Sequence, residues 1–351
     1  DQRVETPEFV ITSRDLEGNQ IEGHTVKDAS WTSRGDIRTY AIQFQGDANY
    51  TWEASYTDLA GNTLKTRQAD TFTVDKSAPG TAAIDIKEHG IWRKLVSVIT
   101  FGLFDDHAVQ VSLYGQDGND GKGGGTQEPA VSPVEPLQYY KGIGQMTRAQ
   151  LDALPPSAWI TGNSLTVNPD QKFVIYLKVT NYAGLTSYFS SDGVVADSTE
   201  PVPGITITNM SQARNGIFRE NVLLRIDVKE PAEDEIYAGL KKIWYRIWSQ
   251  GNSRASEERV ILDNTGHKAQ GDKNFSYILE VDGDTFNSND VRVQVFAEDM
   301  AGNEAESQIT QLKIDVTAPS VTVSWDRNDP MNGRYYKESR IVAMSFCEPR
   351  S

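Results

Sequence analysis

The sequence predicts an all-β chain of tandem sandwich domains, and three observations predict it. Apolar and polar residues alternate through many short segments. A turn of the form Asp/Asn-x-Ala-Gly recurs, and each copy is followed at a fixed distance by Asp-x-x-x-Pro. The copies are Asp58-Leu59-Ala60-Gly61-Asn62 with Asp75-Lys76-Ser77-Ala78-Pro79, a degraded Asn181-Tyr182-Ala183-Gly184-Leu185 with Asp197-Ser198-Thr199-Glu200-Pro201, and Asp299-Met300-Ala301-Gly302-Asn303 with Asp315-Val316-Thr317-Ala318-Pro319. Turn and exit lie 16 or 17 residues apart, and successive exits 122 and 118 residues apart. Repeats of that length built from short strands have the size of immunoglobulin-like domains.

Each repeat closes with the same grammar. Tyr50, Trp52, Ala54 and Tyr56 alternate with Thr51, Glu53 and Ser55 before the first turn. That is the period of a strand with one buried face. Val291, Val293, Val295 and Ala297 do the same before the third. Gly61, Gly184 and Gly302 supply the positive φ of a tight turn. Proline in the exit has no N–H to give to a ladder and suits a domain joint. A calcium or catalytic loop would also use Asp and Asn, but a hairpin turn at a fixed place in the repeat accounts for the spacing. Asn181, Leu185 and Glu200 depart from the pattern and argue against a metal role shared by all three turns.

The remaining elements follow in order. Glu8–Thr12 reads as a strand, Asp15–Asn19 as a turn, and Arg38–Phe44 as a strand with Tyr40, Ile42 and Phe44 on one face. In residues 76–197, two apolar runs lie between Ile91 and Phe104, and Val109–Leu113 and Phe173–Val179 are strands. Between them sits a Gly-rich insertion, residues 115–125, a flexible surface loop. It is no phosphate loop, because no Gly-Lys-Ser/Thr leads into a helix. Asp117, Asn119 and Asp120 have the oxygens for calcium, against a plain loop. Thr147 caps a helix through Leu154 that Pro155-Pro156 stops. In residues 198–315, Asn221–Val228 is a strand, and Glu230–Glu235 an acidic, solvated loop. In Ile243–Trp248, Ile243, Tyr245 and Ile247 form a core face. Trp244, Arg246 and Trp248 form the other, either a sugar platform or rings packed over the sheet with Arg stacked on them. Residues 316–351 begin another unit, with Val321–Trp325 and Arg340–Phe346 as strands.

Composition narrows the function. The chain has 351 residues, 38% apolar content, seven Trp and a net charge of −15. That charge disfavours nucleic acid and anionic membrane surfaces, which demand a basic patch. Nothing reaches the run of about 20 apolar residues that spans a membrane. The chain starts at Asp1, as a mature product or an excised fragment would. The single cysteine, Cys347, excludes an internal disulfide, and its alternation with Ser345 and Ala343 reads as a small buried residue. His24, His89, His107 and His267 are scattered, and no catalytic set is proposed, so the expectation is a non-enzyme without resident cofactor.

The two ends belong together. Residues 1–75 carry the closing hairpin without an opening, and residues 316–351 carry an opening without the hairpin. Their combined length, 111 residues, matches a whole repeat. The reading is one sandwich split between the termini, flanking complete sandwiches at 76–197 and 198–315 in an elongated rod. Two intact domains would hold the halves roughly 80 Å apart, from strands of about 3.3 Å per residue plus loops. Two consequences follow as alternatives: the chain was cut in mid-domain from a longer array, or a second chain completes the sandwich head to tail, closure within one chain being hard. The expected assembly residues are Val321, Val323, Trp325, Ile341, Ala343 and Ser345 at one end, and Val10, Tyr40 and Ile42 at the other.

Phe72–Pro79, Phe189–Asp197 and Asp326–Tyr336, with Arg340–Ser351 reading on into Asp1, carry a resemblance over the whole chain. The chain resembles the tandem bacterial immunoglobulin-like repeats of giant wall-attached surface proteins in Gram-positive bacteria. The resemblance implies an extracellular, surface or wall-attached stalk or adhesin, with neighbouring repeats or other copies of itself as partners. A module for a glycan or host surface protein is the alternative.

Overall fold

The computed structural model describes residues 8–21, 27–35, 37–58, 60–65, 70–88, 91–93, 101–121, 126–232, 235–249, 257–267, 269–326 and 333–348. Residues 94–100 of the apolar run, 122–125 of the Gly-rich insertion and 327–332 lie outside them. Two compact units result, Asp1–Ala196 and Asp197–Ser351. Each is built from β-sheets.

The first unit opens with β1 (Glu8–Arg14), β2 (Lys27–Arg34), β3 (Ile37–Gln43), β4 (Ala48–Thr57), β5 (Thr63–Lys65) and β6 (Asp70–Val74). β4 is the centre of a sheet in which it pairs with β1, β5 and β6, while β2 and β3 form a separate hairpin. A complete sandwich follows. One sheet has the order β13-β10-β7-β8, from β7 (Thr81–Glu88), β8 (Ile91–Arg93), β10 (Val109–Gln116) and β13 (Ser164–Val167). The facing sheet has the order β12-β11-β14-β16-β9, with β15 also on β14. Its strands are β9 (Leu103–Asp105), β11 (Gln138–Gly142), β12 (Ile160–Thr161), β14 (Gln171–Thr180), β15 (Thr186–Ser190) and β16 (Val194–Ala196).

β14 is buried on both faces, which its continuous apolar sequence requires. Phe173, Ile175, Leu177 and Val179 enter the sandwich core with Ile84, Ile86, Val111 and Leu113. Val174 and Tyr176 point the other way, under Leu151 of α1 (Arg148–Asp152) and Trp159. Thr147 caps that helix as expected, in a capping box with Gln150.

The second unit holds a sandwich of the same plan. β17 (Val202–Ile207), β18 (Val222–Lys229) and β21 (Asn274–Val281) form one sheet, in the order β17-β18-β21. β19 (Leu240–Ser249), β20 (Glu257–Asp263), β22 (Ser288–Asp299), β23 (Glu304–Glu306) and β24 (Thr310–Ile314) form the other, centred on β19 and β22. Val222, Leu224, Ile226 and Val228 meet Val291, Val293, Val295 and Ala297 across the core, all at 0% exposure. The fold is thus an immunoglobulin-like β-sandwich. Truncating Leu224 to Ala is expected to cost about 2–5 kcal/mol, as a cavity between facing sheets, measured by urea denaturation.

β25 (Ser320–Trp325) and β26 (Val342–Cys347) pair as a hairpin, and every residue of the two strands is exposed. Cys347 is accordingly exposed rather than buried. An isolated two-stranded hairpin has no second layer to cover either face.

Candidate functional site

The three Ala-Gly turns are built alike. Asp58, Asn181 and Asp299 each accept, on Oδ1, the backbone N–H four residues on. Gly61, Gly184 and Gly302 take φ of 88°, 82° and 100°. Asn62 and Asn303 also donate from Nδ2 to Oδ2 of their Asp. In the two complete sandwiches the turn holds its first side chain at the end of the sheet, beside the exit Asp of the preceding repeat.

In the first sandwich this position gathers Asp75, Asp117 and Asn181. Asn181 is fully buried, and its Nδ2 donates to Asp75 Oδ2 at 2.8 Å, Ser77 O at 3.0 Å and Asp117 Oδ1 at 3.2 Å. Asp117 Oδ2 also accepts from the Val131 and Ser132 amides, and Asp75 from the Ser132 hydroxyl. The amide therefore neutralises nothing but satisfies two carboxylates at once. Asn119 Oδ1 accepts from the Gly121 amide. These bonds turn Asp117 inward, toward Asn181 and the Val131 and Ser132 amides.

The second sandwich places Asp197, Glu230 and Asp299 at the same three positions. Each exit Asp ends a repeat, the turn residues Asn181 and Asp299 stand just after β14 and at the end of β22, and Asp117 and Glu230 follow directly on β10 and β18. One carboxylate oxygen from each of Asp197, Glu230 and Asp299 lies within 4.8 Å of the other two. Exposures are 1%, 2% and 0%. Asp197 accepts from the Thr199 and Ala238 amides, and Asp299 from Gly302 and Asn303. Neither Glu230 oxygen has a hydrogen-bond partner among the described residues. Burial, then the Asp299 and Asp197 charges, push the Glu230 carboxyl up to about 9. Burial raises Asp299 to about 7 against the bonds from Asn303. Glu230 was expected in a solvated acidic loop. It is buried because the residue after β18 still follows the strand into the sandwich end.

A second acidic group, Asp105, Asp106 and His107, is consecutive in sequence. His107 is exposed and bonded to Asp106 at 2.5 Å, which raises its pKa, so the group forms a local ion pair rather than a cage.

Trp244, Arg246 and Trp248 lie on the outer face of β19, as the alternation requires. Trp244 stacks on Phe296 with centroids 5.5 Å apart, and Lys242 Nζ lies 4.9 Å from its ring centroid. Arg246 lies over Trp248 at 5.5 Å. The cluster satisfies its rings within the sheet.

The terminal hairpin repeats β17–β18 residue for residue. Ser320 pairs with Cys347 as Val202 pairs with Lys229, each pair beginning five residues after an exit Asp. Val321, Val323 and Trp325 oppose Phe346, Met344 and Val342. Their counterparts Val228, Ile226 and Leu224 are wholly buried, yet the six hairpin residues are 40–76% exposed. This register divides the expected assembly residues between two faces. Ala343 and Ser345 project on the side opposite Val323, and Ile341 precedes the strand with their parity. In β1, Phe9 and Ile11 oppose Ala54 and Trp52, while Val10 opposes Glu53 on the outer face at 63% exposure. Ile42 is half-buried, and the Tyr40 side chain lies outside the described residues.

No family model and no curated protein matches the chain. Among solved structures it is similar to the FN1–FN3 domains of chicken CNTN1, at 11% identity over 88% of each chain and a TM-score of 0.23. The sandwich assignment rests on the strand pairing above.

Proposed function

We propose that this chain is a structural segment of an extracellular surface fibre, stalk or adhesin, whose split sandwich is completed head to tail by a second copy. The observation that carries the reading is the hairpin face of Val321, Val323, Trp325, Val342, Met344 and Phe346, exposed at positions whose counterparts in the second sandwich are half-buried on β17 and fully buried on β18. The other end supports it. β1, β4, β5 and β6 pair as β19, β22, β23 and β24 do. Trp52, Ala54 and Tyr56 are only half-buried, while the corresponding Val293, Val295 and Ala297 are fully buried. The strand just before β22 is β21, which pairs with β18, and the strand just before β14 is β13, which pairs with β10. β3 stands just before β4, and is the strand that β26 of the second copy would meet.

The magnitudes show what such a joint requires. Covering six half-exposed apolar side chains contributes about 1 kcal/mol each. Association costs about 4–15 kcal/mol in lost freedom. The apolar face alone is near balance, so main-chain pairing along β3 has to add to it. Light scattering behind size exclusion, over a concentration series, tests the reading together with electron microscopy. Oligomers that grow with concentration, and thin filaments, are expected; a chain that stays monomeric throughout rejects it.

A further inference from the structure

We propose that Asp197, Glu230 and Asp299 bind one divalent cation, calcium by the chemistry of the donors. The site lies within a complete sandwich, so it stands whether or not the terminal pieces assemble. One oxygen from each of three buried carboxylates lies within 4.8 Å of the others. Both Glu230 oxygens, on a side chain 2% exposed, have no hydrogen-bond partner among the described residues. A buried carboxylate left unsatisfied costs several kcal/mol, on the order of the full desolvation of the group.

The first sandwich shows what serves the equivalent carboxylates. There the turn residue is Asn181, and its two amide hydrogens serve Asp75, Asp117 and the Ser77 carbonyl. Aspartate at 299 keeps the turn bonds but, once ionised, has no hydrogen to give. A positive centre at the place of that NH₂ group would meet Asp197, Glu230 and Asp299. It would also meet the Thr199 carbonyl, the counterpart of Ser77 two residues after the exit Asp. This is an all-oxygen, irregular set with no imidazole or thiolate. It suits calcium, with its flexible six to eight oxygens, better than zinc or octahedral magnesium.

The test uses the full chain, stripped with chelator and held where light scattering reports monomer. Calcium is titrated by calorimetry, and melting is followed with and without it. Asp299→Asn rebuilds the arrangement of the first sandwich and should fold; Glu230→Gln is the second variant. One saturable site per chain is expected, with the second unit melting about 10 °C higher at roughly a hundredfold excess over the dissociation constant. Asp299→Asn should remove that site and the calcium-dependent shift while remaining folded in chelator. Absence of saturable binding, or binding undiminished in folded Asp299→Asn, overturns the proposal.

Discussion

Replacing Met344 and Phe346 together with aspartate is expected to abolish association between chains while leaving both complete sandwiches folded. The two residues are 60% and 76% exposed, so the monomer loses little. Their counterparts Ile226 and Val228 have no exposed surface, so in a completed sandwich both carboxylates would be buried in a dry core. Each such burial costs several kcal/mol, on the order of the whole apolar gain of the joint. The matched control is Thr322→Asp with Ser345→Asp. Those side chains lie on the other face, where β18 carries Arg225 and Asp227 in contact with solvent. The control should assemble like the parent. Sedimentation velocity separates the cases. Equal loss in both pairs would mean that the hairpin associates without a defined inner face.

The contrast between these faces also marks how far the sequence could be read. Strand positions, the Ala-Gly turns and the helix cap were legible because each depends on neighbours within a few residues. Tyr50 to Tyr56 alternates, Gly302 follows a turn residue, and Thr147 precedes Gln150 by three positions. Facing was legible only where one parity is polar. Around Val342 both parities are small or apolar, so the pairing Val323 to Met344 had to decide that Ala343 and Ser345 face away. Cys347 was misplaced for the same reason, because it occupies the position of Lys229. The carboxylate cluster was hidden differently. Asp197 and Asp299 stood in recognised motifs, but Glu230 opens an acidic run and looked solvated. The available signal was alignment of the repeats on the strand before it, since Asp117 and Glu230 occupy one position and Glu348 follows β26 in the same way.

That last correspondence leads to the second large effect: chelation of divalent cations is expected to dissolve the assembly. Asp315 is the exit Asp preceding the proposed split sandwich, and Glu348-Pro349 follows β26 as Glu230-Pro231 follows β18. Asp58, at the far end, accepts the same turn bonds from Asn62 that Asp299 accepts from Asn303. Two carboxylates of the set therefore lie on one terminal piece and the third on the other. A cation bridging them across the joint would be bound fully only when a second copy completes the sandwich. Linkage then makes the cation a term in association. With calcium at roughly a hundredfold excess over its dissociation constant, the joint gains about 2.7 kcal/mol, or roughly a hundredfold in affinity. That increment decides an equilibrium whose apolar and entropic terms nearly cancel. Asp58→Asn supplies the amide in place of the cation, as Asn181 does in the first sandwich. It should assemble in chelator and respond little to calcium. Sedimentation velocity of parent and Asp58→Asn, each with calcium and with chelator, checks all four states. Parent oligomers unchanged by chelator would remove the cation from the joint while leaving head-to-tail pairing intact. Monomer in all four states would remove the pairing itself.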